Sequence, residues 1–161
     1  RPPLAALVDF PTIYRRFAAK TELLVHTVAA VFEPPERGGL KWRSLEQMVT
    51  DWAEFLSRPN IGRVLRRLYS SAEEYPELLE VYWHRHGRHH WAAGQSTLKQ
   101  ARDQGHLAED AEIDVIQEIL FGTVLYQLVA GHQAPDARQI DTSLNAVLRQ
   151  VGYQTGARRA P

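Results

Sequence analysis

Residues 11–24, Pro-Thr-Ile-Tyr-Arg-Arg-Phe-Ala-Ala-Lys-Thr-Glu-Leu-Leu, gather side chains able to grip an anionic polymer. Thr12 can exchange hydrogen bonds with a base edge and present its methyl to a thymine. Tyr14, Arg15, Arg16 and Lys20 bring phenolic, guanidinium and ammonium donors for phosphate oxygens. Ile13 and Phe17, four apart, form an inward face that would anchor a short helix carrying those donors. The same residues also read as a basic amphipathic turn with no partner.

A second cluster, residues 83–91, reads Trp-His-Arg-His-Gly-Arg-His-His-Trp. On a helix His86 shares a face with His89 and His90, and two imidazoles so placed can ligate zinc or nickel. No carboxylate stands at a spacing that completes the set, so the leading expectation is a long helix with one face on a cavity. Tyr82, His86 and His89 or His90 then look inward, and Arg85 and Arg88 outward. Aromatic residues are dense in the middle of the chain. Apolar pockets between bundle helices with a few polar handles suit small organic molecules. Trp52, Phe55, Tyr82, His86 and Phe121 are the expected pocket residues, while most of the other aromatics read as packed core. No nucleophile elbow, glycine-rich phosphate loop or carboxylate pair stands out. Asp51 and Glu54 read as a solvated helix face. The expectation is therefore a protein that is not an enzyme, with no cofactor and no metal.

The elements that must position these groups read as helices throughout. Apolar residues recur at spacings of three and four, and period-two alternation is hard to find. Helices are expected over residues 21–32, over 44–56 behind a Ser44/Gln47 capping pattern, and over 61–72 after the punctuation of Pro59 and Asn60. A long helix is expected from Pro76 to residue 101 or 104, with Gly105 as its stop. Residues 113–130 are apolar on most of their circumference, and a clean stripe follows over 140–151. Such surface asks for cover on several sides. A four-helix homodimer interface of Ile116, Leu120, Val124, Leu128, Leu144, Val147, Leu148 and Val151 is one answer; burial inside one protomer is the other.

The chain has 161 residues, room for one large domain, and 44% of them are hydrophobic, which excludes a wholly disordered chain. The longest apolar run, residues 119–130, is interrupted by Gly122, Thr123 and Gln127, so no membrane span is expected. The absence of Cys removes disulfide, thiolate-metal and Cys-nucleophile chemistry and suits a cytoplasmic location. Net charge is zero, from 19 basic and 19 acidic residues, which excludes a uniformly basic coat. The charge is uneven, however. Arg1, Arg15, Arg16 and Lys20 face only Asp9 in residues 1–20, and residues 107–118 carry Glu109, Asp110, Glu112, Asp114 and Glu118 with no Lys or Arg. A cationic end can hold a polyanion locally, because only the docking face needs the charge.

The block Tyr14, Phe17, Lys20, Glu22, Leu23, Leu24 resembles the end of the DNA-binding helix-turn-helix of TetR-family transcriptional regulators. Residues 101–107, Ala-Arg-Asp-Gln-Gly-His-Leu, followed by acidic residues and an apolar helix, resemble one branch of the same family. The resemblance implies an all-α, TetR-like fold. Residues 1–32 would hold the helix-turn-helix remnant and connecting helix, and residues 33–161 the ligand-binding and dimerisation domain. It implies DNA contacts at Pro11 and Thr12 to base edges and at Tyr14, Arg16 and Lys20 to phosphates. Arg15 would meet a phosphate or remain a solvated charge. The partners implied are double-stranded operator DNA, a small-molecule effector and a second copy of the chain, and the role implied is a repressor released by its ligand. The alternatives are a helical protein-interaction module without DNA binding and a His-ligated metal-binding protein. Family members carry two helices before this block, and only ten residues precede Pro11. Residues 1–3 resemble the family's basic arm and residues 4–10 part of its first helix. A stretch is therefore expected to be missing near Phe10-Pro11.

Overall fold

A computed structural model describes residues 20–32, 39–131 and 133–155. Among the described residues all regular structure is helical. The order is α1 (Lys20–Val31), α2 (Leu45–Leu56), α3 (Pro59–Ser70), α4 (Pro76–Tyr82), a π-helical turn (Trp83–Gly87), α5 (Arg88–Asp103), α6 (Ile113–Ala130) and α7 (Ala137–Gln150). The expected DNA contacts Pro11, Thr12, Tyr14, Arg15 and Arg16, the side chain of Lys20 and the Phe10-Pro11 junction lie outside the described residues.

Local chemistry explains where the helices begin and end. Ser44 Oγ accepts from Gln47 N–H at 3.2 Å, as its spacing suggests. The Gln47 side chain, however, accepts from Arg43 N–H at 3.0 Å instead of from Ser44, so the reciprocal bond sits one residue early. A complete capping box opens α7, where Asp136 and Gln139 exchange bonds of 2.7 and 2.9 Å. Pro59 does not merely punctuate. It is the first residue of α3, where its missing N–H costs nothing. Gly105 ends α5 in a left-handed conformation (φ 76°), with Gly105 N–H on Arg102 O and His106 N–H on Ala101 O. These two bonds make a Schellman stop.

The single helix expected from Pro76 is divided by the π turn, in which Arg88 N–H reaches back five residues to Trp83 O. Such a turn widens the helix by one residue, and it commonly marks functional positions. Gly87 permits it here. A Cβ at Gly87 would lie 2.7 Å from Trp83 Cε3, so any side chain would have to displace that indole.

α2 packs along α7, α1 along α4, and α6 lies against α3, α5 and α7. Leu98, Leu120, Ile140 and Leu144 are fully buried where these helices meet. Arg66 of α3 places its Nε 2.8 Å from Leu128 O near the end of α6, a helix with no basic residue in its own last turn. A cation at that end offsets the helix dipole.

The expected dimer stripe is corrected by this packing. Ile116, Leu120, Val124, Leu128, Leu144 and Leu148 are buried inside the protomer, and Val147 and Val151 are half-buried against the same core. The outward row of α6 is instead Val115, Ile119, Tyr126 and Val129, all exposed. The reason is that α6 is apolar nearly all round, so its pattern cannot say which arc faces home. Its 18 residues are also long and apolar enough for a membrane span, which the interruptions in its sequence had seemed to exclude. Its inner arc nevertheless packs on three helices and buries a polar Gln117.

Candidate ligand pocket

The pocket is organised around the π turn. His86 and His90 stack ring on ring with centroids 3.8 Å apart and planes 28° from parallel. Phe55 of α2 stacks on His86 at 5.0 Å and 22°. Phe32, just past the end of α1, is buried with its ring 4.8 Å from Tyr82 and 5.2 Å from His86. Trp42 stands edge-on to Trp52 at 6.2 Å and to His90 at 5.8 Å. Its indole N–H is occupied by Asp51 Oδ2 at 2.9 Å.

Behind Phe32 and Trp42, the other rings of this cluster line a pocket of about 660 Å³, counted with its open mouth, between α2, α3, α4, the π turn, α5 and α6. Trp52, Phe55, Tyr82, His86 and Phe121, the five residues picked from sequence, all line it. Residues not picked also line it, among them Tyr69, His90, Trp91 and Gln117. Of the two choices the sequence offers, His89 and His90, it is His90, four residues on from His86, that lines the pocket. Tyr69 and Trp91 had only their aromatic character to offer. Gln117 had no signal, because one amide within an apolar helix resembles any interruption.

Gln117 is only 1% exposed. Its Nε2 donates to Trp91 O at 2.8 Å, and Gly94 makes room for the amide, since a Cβ there would lie 2.9 Å from that nitrogen. Its Oε1 has no partner, nor have Trp52 Nε1 and His90 Nδ1, and all three are closed off from solvent. Most buried polar groups in proteins are paired, and leaving one unpaired costs about 1–3 kcal/mol. Three such atoms on the side chains of one pocket are therefore a concentration of unmet hydrogen bonding.

The pocket lining also holds no Asp, Glu, Lys or Arg among the described residues. Burial, helped by His86 and His89, pushes the His90 imidazole down to about 3, so it is neutral near pH 7. Burial pushes the Tyr82 phenol well above its ordinary value, with Tyr69 adding to the effect. Among the described residues no cluster of three metal-ligating side chains forms, and the His86–His90 pair meets through its ring faces. Arg85 and Arg88 are exposed, beyond the pocket wall.

A second pocket lies at the other end of α5 and is lined by Arg43, Glu46, Gln100, His106 and Tyr153 among others. There Tyr153 O–H donates to Glu46 Oε1 at 2.6 Å. Burial alone would raise the Glu46 carboxyl, but hydrogen bonds from Tyr153, the backbone and Ser44 outweigh it and hold the group below its usual value.

Residues 34–147 match the family model described as the tetracyclin repressor-like C-terminal domain. No curated protein sequence matches the chain. A solved structure of the TetR family transcription regulator SCO0332 superposes with a TM-score of 0.57 at 22% identity, over 92% of this chain and 83% of that one. That likeness is one of fold.

Proposed function

The chain belongs to the tetracyclin repressor-like (TetR) family, and from that premise we propose that it is a DNA-binding transcription regulator, a repressor released by a small molecule. The observation that carries the reading is the seat of Phe32. This residue follows α1, the helix that links residues 11–19 to the body. Its ring rests on Tyr82 and His86, two walls of the aromatic pocket. A ligand that displaces either wall shifts the packing of α1. Two arrangements of α1, one favoured by ligand, are enough to change how the basic segment is presented to DNA.

Base edges would meet Pro11 and Thr12, and phosphates Tyr14, Arg15, Arg16 and Lys20. The protein would act in the cytoplasm as a homodimer with two reader units on successive major grooves. The exposed row Val115, Ile119, Tyr126 and Val129 replaces the inner arc as the dimer face. Its steps of four, seven and three residues keep one side of a helix, a pattern that suits packing against a second copy.

The test is a gel shift with the full-length protein and the DNA upstream of its own gene. Salt-sensitive binding is expected, lost on Lys20→Ala or Tyr14→Ala. No binding at low salt by a folded protein would end the reading. Light scattering on Ile119→Glu should give a monomer where the wild type is a dimer; a wild-type monomer removes the two-headed grip.

A further inference from the structure

The three unpaired atoms define what the pocket can hold. Trp52 Nε1–H only donates, and Trp52 is only 8% exposed. Gln117 Oε1 only accepts, because the Nε2 of the same amide is committed to Trp91 O. His90 Nδ1, on a neutral ring, is the third. The side chains that carry them line the pocket from α2, α6 and α5, and each atom is closed to solvent, so an occupant reaches it by displacing a neighbouring side chain. An occupant must therefore offer both an acceptor and a donor to quench the set.

Charge and shape narrow the choice further. No Asp, Glu, Lys or Arg lines the pocket among the described residues. An ion would shed its hydration there with no carboxylate, ammonium or guanidinium to replace it, a cost that is large for any buried, unpaired charge. Trp91 and Phe121 meet edge-to-face at 6.3 Å and 76° across the wall, whereas the rings of Phe55, His86 and His90 lie within 35° of one another. Flat faces of this kind favour a slab-shaped aromatic guest, which stacks at little cost in conformational entropy.

We propose that the pocket takes an uncharged, planar aromatic molecule carrying both a carbonyl-type acceptor and an N–H or O–H donor. The proposal rests on the reading of this pocket as the effector site and adds the chemistry of the effector to it. Carboxylates and sulfonates find no Lys or Arg on the lining, and a quaternary cation finds no Asp or Glu and has only cation–π attraction to offset its lost hydration, so all three are expected to bind more weakly. Pure hydrocarbons fit the walls but leave Trp52 and Gln117 unpaired, and a site built around buried polar groups rejects such analogues.

Four probes of one bicyclic shape separate these terms. They are 2-quinolinone (neutral, with a lactam N–H and C=O), naphthalene (no polar group), 2-naphthoate (anion) and N-methylquinolinium (cation). Each is titrated into the 15N-labelled full-length protein, with the tryptophan indole N–H signals as readout; Trp52→Phe assigns the Trp52 signal. The expected result is that 2-quinolinone binds at least tenfold more tightly than the other three. The Trp52 indole proton should move downfield as it gains an acceptor. Trp52→Phe and Gln117→Leu should each weaken 2-quinolinone at least threefold and leave naphthalene unchanged. The comparison of probes on wild type stands even if a variant fails to fold. If naphthalene binds as well as 2-quinolinone, or either ion binds better, the ligand chemistry is overturned and the pocket survives as an effector site. If no probe perturbs any indole signal, both fall. If the expected preference is found while bound 2-quinolinone leaves DNA affinity unchanged, the ligand chemistry stands and the coupling to DNA is what fails.

Discussion

At its C-terminal end α5 closes on a Schellman turn at Gly105. His106 O there accepts from Gln154 N–H at 3.0 Å, and Tyr153 reaches Glu46 on α2. A second turn of the same kind at Gly152 brings Tyr153 back, with Tyr153 N–H on Leu148 O at 2.9 Å. At its N-terminal end α5 emerges from a π turn, and the pocket beside it holds three buried polar atoms without partners. One end spends its polar groups on tying α2, α5 and the C-terminal segment together. The other keeps them unmet in an apolar chamber. The tied polar groups and the proposed effector pocket therefore stand at opposite ends of one helix. Low local stability is what a region that must rearrange around a ligand requires.

The contrast can be broken by substitution. Leu148→Ala, in the tied half, empties a fully buried site and should cost about 3 kcal/mol in urea unfolding, within the usual range for such changes. A loss below about 1 kcal/mol would mean that this half is not the stabilising one. Acid should act next, through the chamber. His90 binds its proton near 3 in the folded protein and near 6.5 when unfolded, so the unfolded state gains protons first as pH falls. Stability is then lost as pH drops from about 6.5 toward 3, by up to ~1.4 kcal/mol per pH unit. In a His90→Phe variant this slope should flatten; an unchanged slope would place the titration elsewhere.

Gly87→Ala should cost about 1–2 kcal/mol. The new methyl meets Trp83 at 2.7 Å, and the better helix propensity of Ala returns only part of the loss. Hydrogen exchange of residues 83–88 should speed up in this variant and that of residues 105–106 should not. Equal acceleration at both ends would erase the distinction between them. The smallest effect is expected from Tyr153→Phe, about 0.5–1 kcal/mol, because its hydrogen bond to Glu46 is only partly shielded from water. The Glu46 carboxyl, held low in the folded state, supports stability above the ordinary carboxylate range, and this support fades as pH falls through its lowered value. Tyr153→Phe should shrink that acid-side loss.

Much of this molecule was legible before its structure. The stop at Gly105, the cap at Ser44 and the helices between them are local events, set by residues within a few positions of one another. The pocket five were legible too, because bulky aromatics at helical spacing announce an inward face. The π turn was not, since Gly87 looks like a weak helix residue until the Trp83 ring is seen beside it. The capping box at Asp136 and Gln139 was present in the sequence but overshadowed by the apolar stripe that follows.

From sequence alone came the helical class, the family resemblance, the basic block of residues 11–24 and the aromatic character of the pocket. Periodicity and side-chain chemistry are properties of the chain itself. Tertiary structure decided the azimuth of α6, which turned Ile116, Leu120, Val124 and Leu128 inward and left Val115, Ile119, Tyr126 and Val129 exposed. It also decided which polar atoms are stranded. A helix apolar on every side has no preferred arc of its own, and an amide or indole is satisfied or stranded only by what its neighbours bring to it.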